Sequence, residues 1–296
     1  MSAAHPGHAE TTVKNRVKVI LLAAAALLAA GLAFWLWPRP LTVTPYEIQT
    51  ELTAPVRIVQ LTDLHGREFG EGSTDLIALT AQQQPDLILM TGDMLPEEGD
   101  LSSVCRLVQT LSDVAPVYYS LGNRENDRVK AGDTAWRTAL EAAGATVLEL
   151  SYADITVNGQ ALRIGGYYGY YGAPHMDTRD TALQQEKSAF TEDFENTDRQ
   201  KLLLCHIPTA WLDWRYIDSY DAGIVFSGHY HGGLIRLPLS DRGLYAPYVG
   251  LFPEYTKGLF LGKTSACVLS TGLSGDRGIP RICNPPEICV TELLPR

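Results

Sequence analysis

Six short apolar runs set the frame for any fold this chain can adopt. They are VRIVQL (56–61), DLILM (86–90), VYYSL (117–121), ALRIGGY (161–167), KLLLC (201–205) and AGIVFS (222–227). Runs of this length read as buried strands, bounded as they are by Gly, Pro, Asn and Asp. Between the earlier ones lie amphipathic stretches with the spacing of helices: STDLIALTAQQQ, LSSVCRLVQTLSDV and DTAWRTALEAAG, the last stopped by Gly144. Strands alternating with helices of ten or more residues predict an α/β layered fold. After Gly232 the texture changes to LIRLPL, KGLFLG, SACVLST and EICVTEL, which predicts a sheet finished by hairpins without intervening helices.

The chemistry lies immediately after these runs. Asp63-Leu64-His65 follows the first, Gly92-Asp93 the second, and Gly122-Asn123-Arg124-Glu125 the third. His206 follows KLLLC, and Gly228-His229-Tyr230-His231 follows AGIVFS. Ligands of open α/β sheets gather at the carboxyl ends of the strands, so residues spread over about 170 positions can converge there. The glycines at 92, 122 and 228 suit abrupt turns from strand to loop. Singly each motif is weak: an Asp-x-His arises by chance, Gly-Asp and Gly-Asn are ordinary turns, and a histidine after an apolar strand is commonly a satisfied core residue. Five in order, each at a strand end, read as one site.

Carboxylates, an amide oxygen and four imidazoles are the donors of a two-metal site, and they suit Mn, Fe or Zn better than calcium. No cysteine belongs to the set, which argues against structural zinc. Cys205 alternates to the other face of its strand and reads as core. The five cysteines are odd in number and lack a C-x-x-C, so no disulfide framework is implied, though a small loop between Cys283 and Cys289 is open. A hydrophobic content of 45% and a charged content of 20% exclude a disordered chain. With 34 acidic against 24 basic residues the net charge is −10, which argues against a nucleic-acid partner.

Together, Asp63-x-His65, Gly92-Asp93, Gly122-Asn123-x-Glu125, His206 and Gly228-His229-x-His231 resemble the calcineurin-like metallophosphoesterase superfamily. The tail TGLSGDRGIPRICNPPEICVTEL resembles its membrane-associated bacterial branch, home to homologues of UDP-2,3-diacylglucosamine pyrophosphatase. The resemblance implies a four-layer α/β/β/α sandwich with a dinuclear site at one edge of the sheets. It implies one divalent cation on Asp63, His65 and His231, another on Asn123, His206 and His229, and Asp93 bridging both. The implied activity is hydrolysis of a phosphodiester or pyrophosphate by metal-activated hydroxide, on a phosphate-containing substrate that in this branch is lipid-linked. One position departs from the superfamily: the residue after Gly-Asn is Arg124 where histidine is usual. A guanidinium stays charged, so Arg124 would neutralise a phosphate leaving group and not protonate an alkoxide, or would simply orient phosphate. Arg124 and its neighbour Glu125 are therefore the candidate catalytic residues.

Ahead of this region, residues 19–37 (VILLAAAALLAAGLAFWLW) carry no charge and no proline. Nineteen residues at about 1.5 Å each just reach across a bilayer core of about 30 Å. Lys14, Arg16 and Lys18 precede the run, while Trp35, Trp37 and Pro38 close it. A single transmembrane helix is expected, with residues 1–18 as a cytoplasmic tail, 38–54 as a spacer, and 55–296 as an extracytoplasmic catalytic domain. A cleaved signal peptide and a buried core helix are the alternatives, but the run is longer than an h-region and is charge-free along its whole length. Two aromatic loops, with Tyr167, Tyr168, Tyr170 and Tyr171 and then Tyr245, Tyr248, Phe252 and Tyr255, are either a hydrophobic lip or ordinary packing. Two other functions fit the same residues: a phosphodiesterase or phosphomonoesterase on small soluble substrates, and a non-catalytic metal-binding scaffold.

Overall fold

The computed structural model describes residues 17–27, 31, 40–169, 181–237, 240, 242–275 and 279–296. The chain divides into two units, Met1–Pro38 and Arg39–Arg296. In the first, residues 17–27 and 31 are helical, and all are exposed. The rest of the nineteen-residue run, 28–30 and 32–37, lies outside the described residues. Among the described residues no helix is long and apolar enough to cross a membrane.

The second unit follows the alternation of the sequence. It runs β1 (Thr42–Thr50), β2 (Val56–Leu61), α1 (Thr74–Gln82), β3 (Leu87–Thr91), α2 (Ser102–Ser112), β4 (Val117–Ser120), α3 (Asn123–Lys130), α4 (Ala135–Ala142) and β5 (Ala145–Leu148). It continues through β6 (Ser151–Val157), β7 (Gln160–Gly166), α5 (Thr181–Glu195), β8 (Gln200–Leu204), α6 (Thr209–Leu212) and β9 (Ile224–Ser227). The tail adds β10 (Tyr245–Ala246), β11 (Gly250–Leu251), β12 (Gly258–Leu261), β13 (Ala266–Leu269) and β14 (Glu287–Pro295).

The strands form two six-stranded sheets in the orders β1-β14-β2-β3-β4-β5 and β12-β13-β9-β8-β7-β6. In the first, β2 to β5 are parallel; in the second, β7, β8, β9 and β13 are. Their inner faces meet in one apolar cluster, with Ile58, Leu87 and Leu89 from the first sheet among Ile164, Leu202 and Phe226 from the second. Each such fully buried side chain contributes about 1.5–3 kcal/mol. The outer faces are covered by helices. Val104, Leu107, Val108 and Leu111 of α2, at helical spacing, pack beside Trp136 of α4 on the first sheet. Phe190 and Phe194 of α5, stacked at 5.5 Å, cover the second. The layers therefore run helix, sheet, sheet, helix.

Two expectations are corrected here, and a cysteine pairing that the sequence left open is decided. The expected spacer contains β1, which pairs along its whole length with β14 from the far end of the chain. The described part of LIRLPL, residues 234–237, makes only isolated bridges at Ile235 and Arg236, and among the remaining described tail residues only β12 and β13 form the hairpin of a main sheet. β13 then lies parallel to β9, and β14 crosses to the first sheet, antiparallel to β2. Cys283 and Cys289 are both free thiols.

Candidate metal centre

The seven ligand candidates, Asp63, His65, Asp93, Asn123, His206, His229 and His231, follow the carboxyl ends of β2, β3, β4, β8 and β9, where the two sheets meet. The chain turns sharply there. Asp63, His65, Asp93, His229 and His231 all have positive φ, between 46° and 68°. For side chains other than glycine such backbone costs about 1–3 kcal/mol each and persists only where surroundings enforce it. The enforcement is visible: the N–H groups of Asp63, His65 and Gly66 donate to the carbonyls of Gly92, Asp93 and Met94, locking the β2 and β3 loops together. Gly92 has φ +88°, as the turn requires. Gly228 is needed for room instead, since a Cβ there would collide with the Asp63 carboxylate and the Thr62 hydroxyl.

Six acidic and imidazole groups fall into two triads, Asp63 with His65 and His231, and Asp93 with His206 and His229. Within each triad the possible ligand atoms lie within 4.8 Å of one another. The triads adjoin: His206 Nε2 is 3.8 Å from Asp63 Oδ1 and 3.5 Å from Asp93 Oδ2. Asp93 Oδ2 is also 3.8 Å from His65 Nε2, so this carboxylate stands between the two groups. Asn123 joins the second group, its amide nitrogen 3.4 Å from His229 Nδ1.

Four of these groups are aimed by a partner behind them. His206 Nδ1 lies 2.8 Å from the Thr91 carbonyl, and His231 Nδ1 lies 3.1 Å from the Ser274 carbonyl, which turns both Nε2 atoms toward the centre. Asp63 accepts the His229 N–H at 3.1 Å, and Asp93 accepts the Arg124 N–H at 2.8 Å. Burial raises the Asp63 carboxyl above its ordinary range. Burial opposes charge on Asp93 too, but His206 and His65 hold it below that range. Burial and the neighbouring His206 push His229 well down, and burial lowers His65. Both imidazoles are thereby kept in the neutral form that ligates metal. For His206 the burial penalty is outweighed by Asp93 and Asp63, which move it up to about 9.

Nε2 of His65, His206 and His229 and Oδ1 of Asn123 are buried without a hydrogen-bond partner. Leaving such atoms unsatisfied costs about 1–3 kcal/mol each, and groups on facing loops would not be aimed at one another unless something bound there. The donor set fits two divalent cations, whose bonds would satisfy all four atoms.

The two candidate catalytic residues separate. Arg124 lies at the rim, Nε 3.4 Å from His65 Nδ1 and its guanidinium 2.9 Å from Glu97. Glu125 is buried and does not reach the centre. Its carboxylate accepts N–H groups of Asp93 (2.9 Å), Met94 (3.1 Å), Leu95 (3.2 Å) and Gly122 (2.8 Å), together with the Tyr119 hydroxyl (2.5 Å). It is a positioning residue that ties the loop carrying Asp93 to the start of α3. Sequence reasoning missed the second support. Arg281 donates to the carbonyls of Thr271 (2.6 Å) and Ser274 (2.8 Å), the latter being the acceptor behind His231. Asn284 binds the His231 carbonyl at 2.6 Å. Both lie in the tail that carried the branch resemblance, the one signal pointing to them.

A cleft of about 360 Å³ opens over the centre, lined by Asn123, Arg124, His229, His231, Tyr245 and Tyr248 among others. The Tyr248 ring stacks on His229 at 5.0 Å. Of the other aromatic candidates, Tyr167 is core, Tyr168 packs on the helices of the first sheet, and Tyr255 packs edge-on against Phe260. Tyr170 and Tyr171 lie outside the described residues.

Residues 56–233 match the family model described as calcineurin-like phosphoesterase. Phosphodiesterase YaeI of Escherichia coli (strain K12) is 27% identical over 245 residues, 81% of this chain and 83% of that protein. The uncharacterized metallophosphoesterase YkoQ of Bacillus subtilis (strain 168) is 25% identical over 240 residues, 79% of this chain and 82% of its own. UDP-2,3-diacylglucosamine pyrophosphatase LpxG of Chlamydia trachomatis is 34% identical, but over 113 residues, 36% of this chain and 32% of that protein.

Proposed function

Because the chain belongs to the calcineurin-like phosphoesterase family, whose members include phosphodiesterase-named relatives and are metal-dependent phosphoester hydrolases, we propose that it hydrolyses a phosphodiester or pyrophosphate bond in a lipid-linked or other cell-envelope substrate. The observation that carries the hydrolytic reading is the convergence of two triads in which Nε2 of His65, His206 and His229 is buried without a hydrogen-bond partner, as is Oδ1 of Asn123 beside them. In this reading Asp63, His65 and His231 hold one cation, Asn123, His206 and His229 hold the other, and Asp93 serves both. When bound, two such cations supply Lewis acidity, lowering the pKa of water toward neutrality and drawing charge from a phosphoryl group. Mn, Fe and Zn all suit the donors.

The protein's own residues do the rest. Thr91 and Ser274 hold the imidazoles in register through their carbonyls, Glu125 fixes the Asp93 loop, and Arg124 places a positive charge where the leaving group departs. A phosphate leaving group needs that charge and no proton, which favours a diphosphate over an alkyl ester. Membrane anchoring through residues 19–37 rests on the length and flanks of that run, and the lipid-linked substrate on the partial likeness to LpxG. The complete ligand set speaks against a scaffold without catalysis.

The test is a substrate panel on purified full-length protein, stripped with chelator and reloaded with Mn, Fe or Zn. Diphosphate-linked lipids, plain phosphodiesters and monoesters are compared. Turnover restored by metal and greatest on the diphosphate is expected; metal-independent or absent turnover on all three classes would sink the hydrolase reading.

A further inference from the structure

The metal centre shares its end of the domain with two features that the hydrolytic chemistry does not use. The first is the point at which the chain enters. β1 lies parallel to β14 with Thr42 opposite Glu287, and β14 lies antiparallel to β2 with Cys289 opposite Gln60. Gln60 comes three residues before Asp63, so Thr42 stands at the end of the first sheet that carries the metal ligands. The proposed span ends at Trp37, leaving only residues 38–41 before β1.

The second feature is apolar. Tyr245, Tyr248, Leu251, Phe252 and Ile279 are 38–68% exposed, five of the eight large apolar side chains exposed among the described residues beyond position 40. Four belong to the β10–β11 hairpin and the residue after it, and Tyr245, Tyr248 and Ile279 line the catalytic cleft. Tyr248 and Phe252 have φ of 63° and 55°, a conformation that bulky residues rarely adopt. The hairpin thus holds large side chains outward at a conformational cost. Tyr248 joins this lip to the centre through its stack on His229. Exposed apolar clusters at a binding cleft mark interaction surfaces, and aromatic rings suit the boundary between headgroups and acyl chains.

We propose that the metal-bearing end of the domain rests on the phospholipid bilayer, with Leu251 and Phe252 entering the interface so that an amphiphilic phosphoester reaches the cleft without leaving the membrane. This rests on the anchored-hydrolase reading above and adds to it the orientation of the site and the surface that captures substrate. The contact is apolar insertion, since residues 245–252 carry no charged side chain and the exposed charges flanking them, Arg242 and Glu254, are of opposite sign.

The experiment uses the full chain, manganese-loaded, in phosphatidylcholine vesicles. Hydrolysis of bis(p-nitrophenyl) phosphate in the water is compared with that of hexadecyl p-nitrophenyl phosphate, a phosphodiester held in the bilayer by its alkyl chain. The double change Leu251→Glu with Phe252→Glu should lower kcat/KM on the bilayer substrate at least about tenfold and leave the soluble one within about twofold. Leu261→Glu, on the equally exposed β12–β13 hairpin, should alter neither. An unchanged ratio between the two substrates in the double variant overturns the proposal. A chain with Phe252 replaced by the photo-crosslinker p-benzoylphenylalanine should form phospholipid adducts; adducts with protein alone, or none, overturn it as well. Absence of turnover by the unaltered protein on both substrates would instead count against the hydrolase reading, while the crosslink still reports the surface.

Discussion

The two sheets contribute unlike chemistry to one centre. The first carries every proposed oxygen donor, Asp63, Asp93 and Asn123, with a single proposed imidazole, His65; the second carries proposed imidazole donors alone, His206, His229 and His231. Their supports are crossed. Asp63 of the first sheet is held by the His229 N–H of the second, and His206 of the second by the Thr91 carbonyl of the first. Gln60 and Ser120 extend the stitching to the carbonyls of Ser227 and Leu204. Neither sheet can present its ligands without the other, so the site is a property of their docking. The two carboxylates should also fail differently from the amide and the imidazoles, because only the carboxylates bring negative charge.

The largest effect is expected where that difference is greatest. Asp93→Asn keeps the shape of the side chain but removes the anion between two clusters of cation ligands. Two dications held a few Å apart repel strongly without it. Activity should vanish and bound metal should fall from two equivalents toward none. His229→Ala removes one neutral donor, and metal analysis should show loss of one equivalent, with turnover down about 100- to 1000-fold. Equal metal content in the two variants would mean that the carboxylate has no special place between the groups.

Arg124 comes next, at the rim of the first sheet's loops. Arg124→Ala should slow diphosphate cleavage by about 100- to 1000-fold, the usual cost of one preorganised charge contact, and slow an activated aryl diester less. Arg124→His should shift preference toward alkyl diesters by restoring a proton donor. Glu125 is fully engaged and cannot orient the new imidazole, so the available carboxylate is Glu97, 2.9 Å from the present guanidinium. Paired kinetics on diphosphate and alkyl diester decide; an unchanged ratio of kcat/KM in both variants would detach Arg124 from the leaving group.

What could be read in the chain beforehand follows the same division between local and crossed features. Apolar runs report burial within one segment, and the residue after each run reports a strand end, so β2, β3, β4, β8 and β9 and all seven proposed ligands were legible. β1 was read as spacer because TVTPYEIQT carries a proline and alternates weakly, and its strand character comes from β14 at the opposite end of the chain. The role of Glu125 was misread for a related reason. An acid after Gly-Asn looks like catalysis in sequence, while only the structure shows five donors surrounding it. Positive φ at five ligands left no trace in residue type, since aspartate tolerates that backbone but histidine does so less readily.

Glu125 supports the oxygen side alone, which makes it a measure of how far the two sides are separable. All five of its partners donate, so in Glu125→Gln the new amide NH₂ must face a donor. Unsatisfied buried groups cost about 1–3 kcal/mol each, and outer supports of a metal site typically cost 10- to 100-fold in affinity or activity. Thermal melting should fall by several degrees and metal affinity by about tenfold or more, while Thr91 still aims His206. A variant with unaltered metal affinity would show that the Asp93 loop is held by its backbone bonds alone.

The smallest effect tests the covalent crossing between the sheets. Glu149 follows β5 of the first sheet and precedes β6 of the second, and one carboxylate oxygen is buried without a partner. Burial pushes its pKa up to about 7, with Arg137 and Lys187 opposing. The folded protein therefore holds a proton that the unfolded chain, near the ordinary value of 4.5, gives up. Its contribution to stability is full below about 4.5 and is lost as the pH rises to about 7. Glu149→Gln stays neutral throughout, so it should match the parent below about pH 4.5 and be the more stable of the two at pH 8. Denaturant melts of both proteins across that range give the difference directly. Because the residue lies away from the ligands, metal content should not change with it. A stability difference independent of pH would mean that the carboxyl at the crossing is already ionised in the acid range and that Arg137 and Lys187, not burial, govern it.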